Sequence, residues 1–144
     1  MIVYLDTSAL VKVYVEEEGS DIVKETIEKA SLVATSIVAY AEARAALSRC
    51  LYEKIFSNDD YHRCIIDLKS DWERYFKLNI SQSLIDLAGE LTQLCNIGGF
   101  DAIHLASAII LQQQAGSAVT FVCWDARLWN AVNKEKFIMV PDRI

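Results

Sequence analysis

The chain has 144 residues, 53% of them hydrophobic and 24% charged, with one Pro and five Gly. That is the make-up of a single globular domain over residues 1–144, and it excludes a collagenous, linker-like or disordered chain. Fourteen basic against twenty acidic residues leave a net charge of −6, which excludes a purely electrostatic coat on nucleic acid but not nucleic acid as the substrate of a localised site.

Membrane and secretory readings are disfavoured. The longest nearly continuous apolar stretch, residues 102–111, is interrupted by His104 and falls well short of the ~20 residues of a spanning helix. The opening Met1-Ile2-Val3-Tyr4-Leu5-Asp6 has no basic segment and meets an acid where a signal peptide would stay apolar. The expected location is the cytoplasm. Cys50, Cys64, Cys95 and Cys123 form no CxxC pair, and their apolar surroundings predict reduced thiols in or near the core.

In chain order, Ile2–Leu5 reads as a short buried strand, followed by a helix over residues 7–15 with Asp6 as its N-cap. Gly19-Ser20 is a break, and residues 21–30 carry a helical stripe of Ile22, Val23, Thr26, Ile27 and Ala30. Residues 32–34 suggest a short strand, residues 36–54 a long helix, and Ser57-Asn58-Asp59-Asp60 the start of another. Tyr61, Ile65, Leu68, Trp72 and Tyr75 line one face of that helix. Its aromatics fit either a filled core or a partner surface. Residues 77–80 read as a strand, 83–95 as a helix ending at Asn96-Ile97-Gly98-Gly99, and 101–114 as an apolar helix closed by Gly116. A strand over 118–123, a helix over 126–134 and a strand over 137–140 complete the chain. Strands alternating with helices predict an α/β three-layer sandwich, a central parallel sheet flanked by helices.

Two predicted strands run directly into an aspartate, Asp6 and Asp125. In a parallel sheet both carboxylates emerge on the edge where ligands bind. Glu42 sits in the small-residue run Ala39-Tyr40-Ala41-Glu42-Ala43-Arg44-Ala45-Ala46, and Asp101 opens Asp101-Ala102-Ile103-His104-Leu105-Ala106. Taken singly, each Asp could be a helix cap and Glu42 a solvated or paired acid. Taken together, four converging carboxylates repel and raise one another's pKa. Hard divalent cations relieve that repulsion, and Mg²⁺ completes its shell with waters and phosphate oxygens. No His/Cys set offers a zinc site. Carboxylates with Mg²⁺ or Mn²⁺ suit displacement at phosphorus by a metal-activated water. His104, three residues after Asp101, faces roughly the same side. Lys12, Arg44 and Arg127 are the basic residues placed to meet phosphates of a polyanionic substrate, and Trp124, directly before Asp125, is the best placed of the three tryptophans for stacking.

The runs Asp6-Thr7-Ser8-Ala9-Leu10, Ala41-Glu42-Ala43-Arg44, Phe100-Asp101-Ala102-Ile103-His104-Leu105-Ala106 and Val122-Cys123-Trp124-Asp125 resemble the motifs of the PIN domain, and more narrowly of VapC-type toxins from toxin–antitoxin pairs. The resemblance spans essentially the whole chain, and its specificity lies in four motifs in the right order. It implies a parallel sheet between helices and a Mg²⁺- or Mn²⁺-dependent endoribonuclease acting as the toxin of a type II module. Asp6, Glu42, Asp101 and Asp125 match the acidic catalytic and metal quartet, and Ser8 matches the hydroxyl residue that supports the first acid. Cys123 departs from the Thr or Ser of many relatives, which bears on the hydrogen bonding around Asp125. The resemblance further implies an RNA substrate, a cognate antitoxin and a homodimer. Two alternatives stand beside it: a catalytically silent PIN-fold binding module, and an aspartyl-phosphate phosphatase, for which Ser8 stands where a second Asp is wanted.

Overall fold

A computed structural model describes residues 1–144. Its five strands are β1 (Ile2–Leu5), β2 (Leu32–Ser36), β3 (Phe76–Leu78), β4 (Val119–Val122) and β5 (Ile138–Val140), and its seven helices are α1 (Thr7–Val11), α2 (Ser20–Glu28), α3 (Ala39–Tyr52), α4 (Asn58–Trp72), α5 (Gln82–Cys95), α6 (Gly99–Ala115) and α7 (Ala126–Val132). All strand pairs are parallel, in the order β3-β2-β1-β4-β5.

Side chains alternate across the sheet, and this alternation creates two cores. Val3, Leu5 and Val122 face a layer built from α1, α2, α3 and α4, with Leu10, Val23, Leu47 and Leu68 fully buried. Tyr4, Ala34, Val119 and Phe121 face α5, α6 and α7, where Leu105, Ala106, Leu128 and Val132 close the opposite layer. Helix α6 is hydrophobic nearly all round because it lies in that core, with seven of its residues buried from Ala102 to Leu111. No single helix is long and apolar enough to cross a membrane.

Several expected boundaries move. The first helix ends at Val11 rather than at residue 15. Strand β2 continues through Ser36, so the third helix begins at Ala39 and ends at Tyr52. Thr35 and Ser36 are both fully buried, and the Thr35 hydroxyl donates to the Leu5 carbonyl of the neighbouring strand at 2.7 Å. Their polar side chains therefore belong to the sheet's end and not to a helix cap. Strand β3 ends at Leu78. Trp72 and Tyr75 pack against each other and Trp72 against Tyr40, so these aromatics fill the space between α3, α4 and the sheet. The cysteines are free thiols, Cys64 and Cys123 buried and Cys50 and Cys95 partly so.

Chain order reverses at β1: β2 and β3 lie on one side, β4 and β5 on the other. The crevice at the carboxyl ends of β1 and β4 is the topological switch point of the sheet.

Candidate functional site

Asp6 follows β1 directly and Asp125 lies three residues beyond β4, so both acids stand at the switch point. Each also caps the helix it precedes. Asp6 accepts the Ala9 backbone N–H at 2.9 Å, and Asp125 accepts that of Leu128 at 2.9 Å. Capping and site membership are thus compatible, since a carboxylate has about four acceptor positions. Asp101 is not a cap. Gly98 holds that position for α6, and Asp101 projects from the first helical turn.

Asp6 is only 3% exposed. The Ser8 hydroxyl donates to it, 2.8 Å from Oδ1 and 2.9 Å from Oδ2, and the Cys123 thiol lies 3.2 Å from Oδ2. Burial pushes the Asp6 carboxyl up, and the nearby His104 and the donors Ala9, Ser8 and Cys123 oppose the shift. Ser8 also accepts the Trp124 backbone N–H at 2.8 Å, tying the end of β1 to the end of β4. The departure at Cys123 has a concrete outcome: its thiol reaches Asp6 and the Asp125 carbonyl. Burial, and then Asp6, push that thiol far up, which keeps it a protonated, weak donor.

Glu42 projects from the first turn of α3. Its Oε1 accepts the Thr7 hydroxyl at 2.6 Å and stands 2.8 Å from His104 Nε2. Burial alone would raise the Glu42 carboxyl, but the hydrogen bonds from His104 and Thr7 outweigh it and hold the group below its ordinary value. Asp101 moves the other way. Burial raises its carboxyl first, followed by the negative charge of Asp125, with Asp6 and Glu42 adding and His104 opposing. All three other acids push the Asp101 carboxyl in the same direction, as like charges do.

No three His, Cys, Asp or Glu side chains converge as ligands of one ion. A Mg²⁺ site does not require that, because the ion commonly takes one or two carboxylates and keeps several waters. The donor set fits a hard divalent cation in chemical type: its acids are carboxylates, whose mutual repulsion a cation relieves. Thiol and imidazole are already engaged, Cys123 with Asp6 and His104 with Tyr4, Thr7 and Glu42.

The basic residues separate. Lys12 is buried, its Nζ 2.9 Å from Glu17 and 5.3 Å from the centre of the Trp124 ring. Arg44 donates to the Tyr40 hydroxyl at 2.9 Å and lies over that ring. Two residues on from Glu42, it points to the other side of α3. Arg127 is exposed, one position into α7 and close in sequence to Asp125. Trp124 is covered on one side by Lys12, and a Cβ at Gly19 would lie 2.5 Å from its ring. That leaves little room for a stacked base there.

The sequence reading missed Tyr4 and Thr7. Tyr4 is fully buried and its hydroxyl lies 2.9 Å from His104 Nδ1. A signal existed. One Tyr in an otherwise apolar strand and one His among the buried apolar residues of α6 are polar tips that burial obliges to find partners.

The model of the PIN domain matches residues 3–121. Ribonuclease VapC45 and Ribonuclease VapC49, from two strains of Mycobacterium tuberculosis, are each 28% identical over 131 residues, covering 88% of this chain and 86% of theirs. Among solved structures, PAE2754 from Pyrobaculum aerophilum superposes with a TM-score of 0.66 at 18% identity, covering 98% of this chain and 90% of that one. VapBC2 from Rickettsia felis, bound to a promoter DNA fragment, gives 0.64 at 19% identity over 96% and 97%. The parallel sheet, its acid-bearing switch point and the match over most of the length agree: this chain belongs to the PIN domain family.

Proposed function

We propose that this chain is a Mg²⁺- or Mn²⁺-dependent endoribonuclease and the toxin of a type II toxin–antitoxin pair. The observation that carries the reading is that Asp6 and Asp125 stand at the carboxyl ends of the paired strands β1 and β4, with Glu42 hydrogen-bonded to Thr7, the residue after Asp6, and to His104. Relatives named ribonucleases, and a solved neighbour described as a toxin–antitoxin complex from Klebsiella pneumoniae with a TM-score of 0.55, support it. When bound, a divalent cation supplies charge neutralisation at phosphate and acidifies the attacking water.

The chain's own groups do the rest. Asp6 and Asp101 hold the principal ion, with Glu42 and Asp125 completing the pocket. Ser8 and Cys123 orient Asp6 through the hydrogen bonds they donate. Arg127 is the exposed cation best placed for an RNA phosphate, whereas Lys12 and Arg44 would first leave Glu17 and Tyr40. Single-stranded or looped RNA is the expected substrate class, its backbone being accessible, cut to leave a 3′-hydroxyl and a 5′-phosphate. A cognate antitoxin and a homodimer complete the reading.

Asp6→Asn tests it. The variant should keep its circular dichroism spectrum and lose RNA cleavage by roughly 100-fold or more, as should wild type in EDTA. Full cleavage in either case would refute the mechanism. Sequencing of RNA ends after brief induction identifies the target. The second reading is a PIN fold kept for binding alone. Mn²⁺ binding without turnover on any RNA would select it.

A further inference from the structure

We propose that Tyr4 and His104 are a buried positioning pair that holds Glu42 by one carboxylate oxygen, Oε1, and leaves the other, Oε2, as the atom offered to the divalent cation. The inference rests on the metal-dependent reading above.

Four elements meet at this relay. Tyr4 comes from β1, Thr7 from α1, Glu42 from α3 and His104 from α6. His104 is 2% exposed and Tyr4 is 0% exposed. The imidazole has both nitrogens engaged: Nδ1 is 2.9 Å from the Tyr4 hydroxyl, and Nε2 is 2.8 Å from Glu42 Oε1 and 3.1 Å from Thr7 Oγ1. The proton positions follow from what each partner can do. An ionised carboxylate only accepts, so Nε2 carries the hydrogen. The Tyr4 hydroxyl pairs with Nδ1 at 2.9 Å, able to donate to it or accept from it, and Thr7 donates its own proton to the same Oε1 at 2.6 Å. Both bonds to Glu42 fall on Oε1.

A buried imidazole within an apolar core would be replaceable by Leu if packing were its task. Here it links a strand in the sheet to an acid from the opposite helical layer. Fixing the rotamer-rich Glu side chain costs entropy. A relay that fixes it before the cation arrives removes that cost from binding. Hydrogen-bonded support of ligating carboxylates has this consequence generally, and its loss costs about 10–100-fold in metal affinity.

The test is Mn²⁺ binding to the full chain, read by the paramagnetic resonance of free Mn²⁺ at one fixed pH, with thermal midpoints recorded alongside. His104→Leu should weaken binding about tenfold or more. His104→Gln places an amide N–H where Nε2 stood and should stay within about threefold of wild type. Tyr4→Phe removes one hydroxyl and keeps the packing. It should weaken binding about two- to fivefold, and it carries the test if the Leu variant does not fold. In a Glu42→Gln background, His104→Leu should cause no further loss, because the coupled partner is gone. Unchanged binding in Tyr4→Phe or in a folded His104→Leu would overturn the proposal, as would equal weakening by Leu and Gln. If wild type binds no Mn²⁺ and matches Asp6→Asn in every readout, the metal reading itself falls and the relay with it.

Discussion

Asp101 shows most directly how neighbours set a residue's chemistry. Its carboxyl is raised by burial and then by Asp125, with Asp6 and Glu42 adding to the shift. A raised folded-state pKa means that the stabilising contribution is present below the unfolded value and is lost as pH rises through the folded one. Asp101→Asn cannot ionise. In EDTA its unfolding midpoint should therefore gain on wild type as pH climbs from about 4 to about 8, by roughly 1–3 °C, because a half-exposed group is screened. Added Mn²⁺ should raise the wild-type midpoint more than that of the variant. A difference that does not change with pH would contradict the like-charge account. Asp6 was legible as a strand-ending acid because its position depends on local pattern alone, whereas Asp125, expected directly at a strand end, stands three residues past β4. That Asp6 and Asp125 cap helices while Asp101 does not depends on where each helix begins, which burial of the flanking residues decides.

At the scale of elements, the chain between α1 and α2 carries a structural demand placed by the site. Gly19 has φ of 90° and packs against the Trp124 ring. The backbone N–H of Trp124 in turn bonds Ser8, which holds Asp6. Gly19→Ala combines a left-handed backbone with a Cβ 2.5 Å from that ring and should cost about 1–3 kcal/mol in urea denaturation. It should also lower cleavage, since a displaced Trp124 loosens the Ser8 bond. An unperturbed stability and activity would show that the ring moves aside freely. Gly19-Ser20 was readable as a break. Its contact with Trp124, more than a hundred residues away, was not. Elsewhere, the strand was expected to stop at residue 34 and a long helix to begin at residue 36. Thr35 and Ser36 are instead fully buried strand residues, Thr35 paired with Leu5 of β1 and Ser36 with Leu78 of β3.

For the whole molecule, two cores on opposite faces of one sheet hold the switch point rigid. Phe121 on β4 is fully buried, stacked 5.1 Å from Tyr4 and 5.7 Å from Phe137. Phe121→Ala should destabilise the chain by about 3–5 kcal/mol in urea denaturation. Because Tyr4 loses its neighbour, Mn²⁺ binding should weaken as well, even under conditions where the variant remains folded. A loss below about 1 kcal/mol would mean that this layer repacks easily. Alternating strand and helix signals predicted the parallel three-layer sandwich, since a buried parallel sheet needs helical crossovers and apolar strands. Strand order was not predicted. Several orders satisfy the same alternation, and only the pairing of β1 with β4 puts Asp6 and Asp125 in one crevice.

Periodicity, turn residues and acids at element ends are written within about ten residues of chain, so the sequence by itself determined the element types and the fold class and singled out the four acids as candidates. The tertiary structure alone decided that His104 and Tyr4 grip Glu42, that Cys123 meets Asp6, and that Lys12 and Arg44 turn to Glu17 and Tyr40. Those pairings arise because hydrophobic burial is non-directional and brings elements together. Once they are packed, buried polar atoms bond whatever group the packing has placed beside them, Arg44 Nε and Thr120 Oγ1 being the buried side-chain atoms that find none.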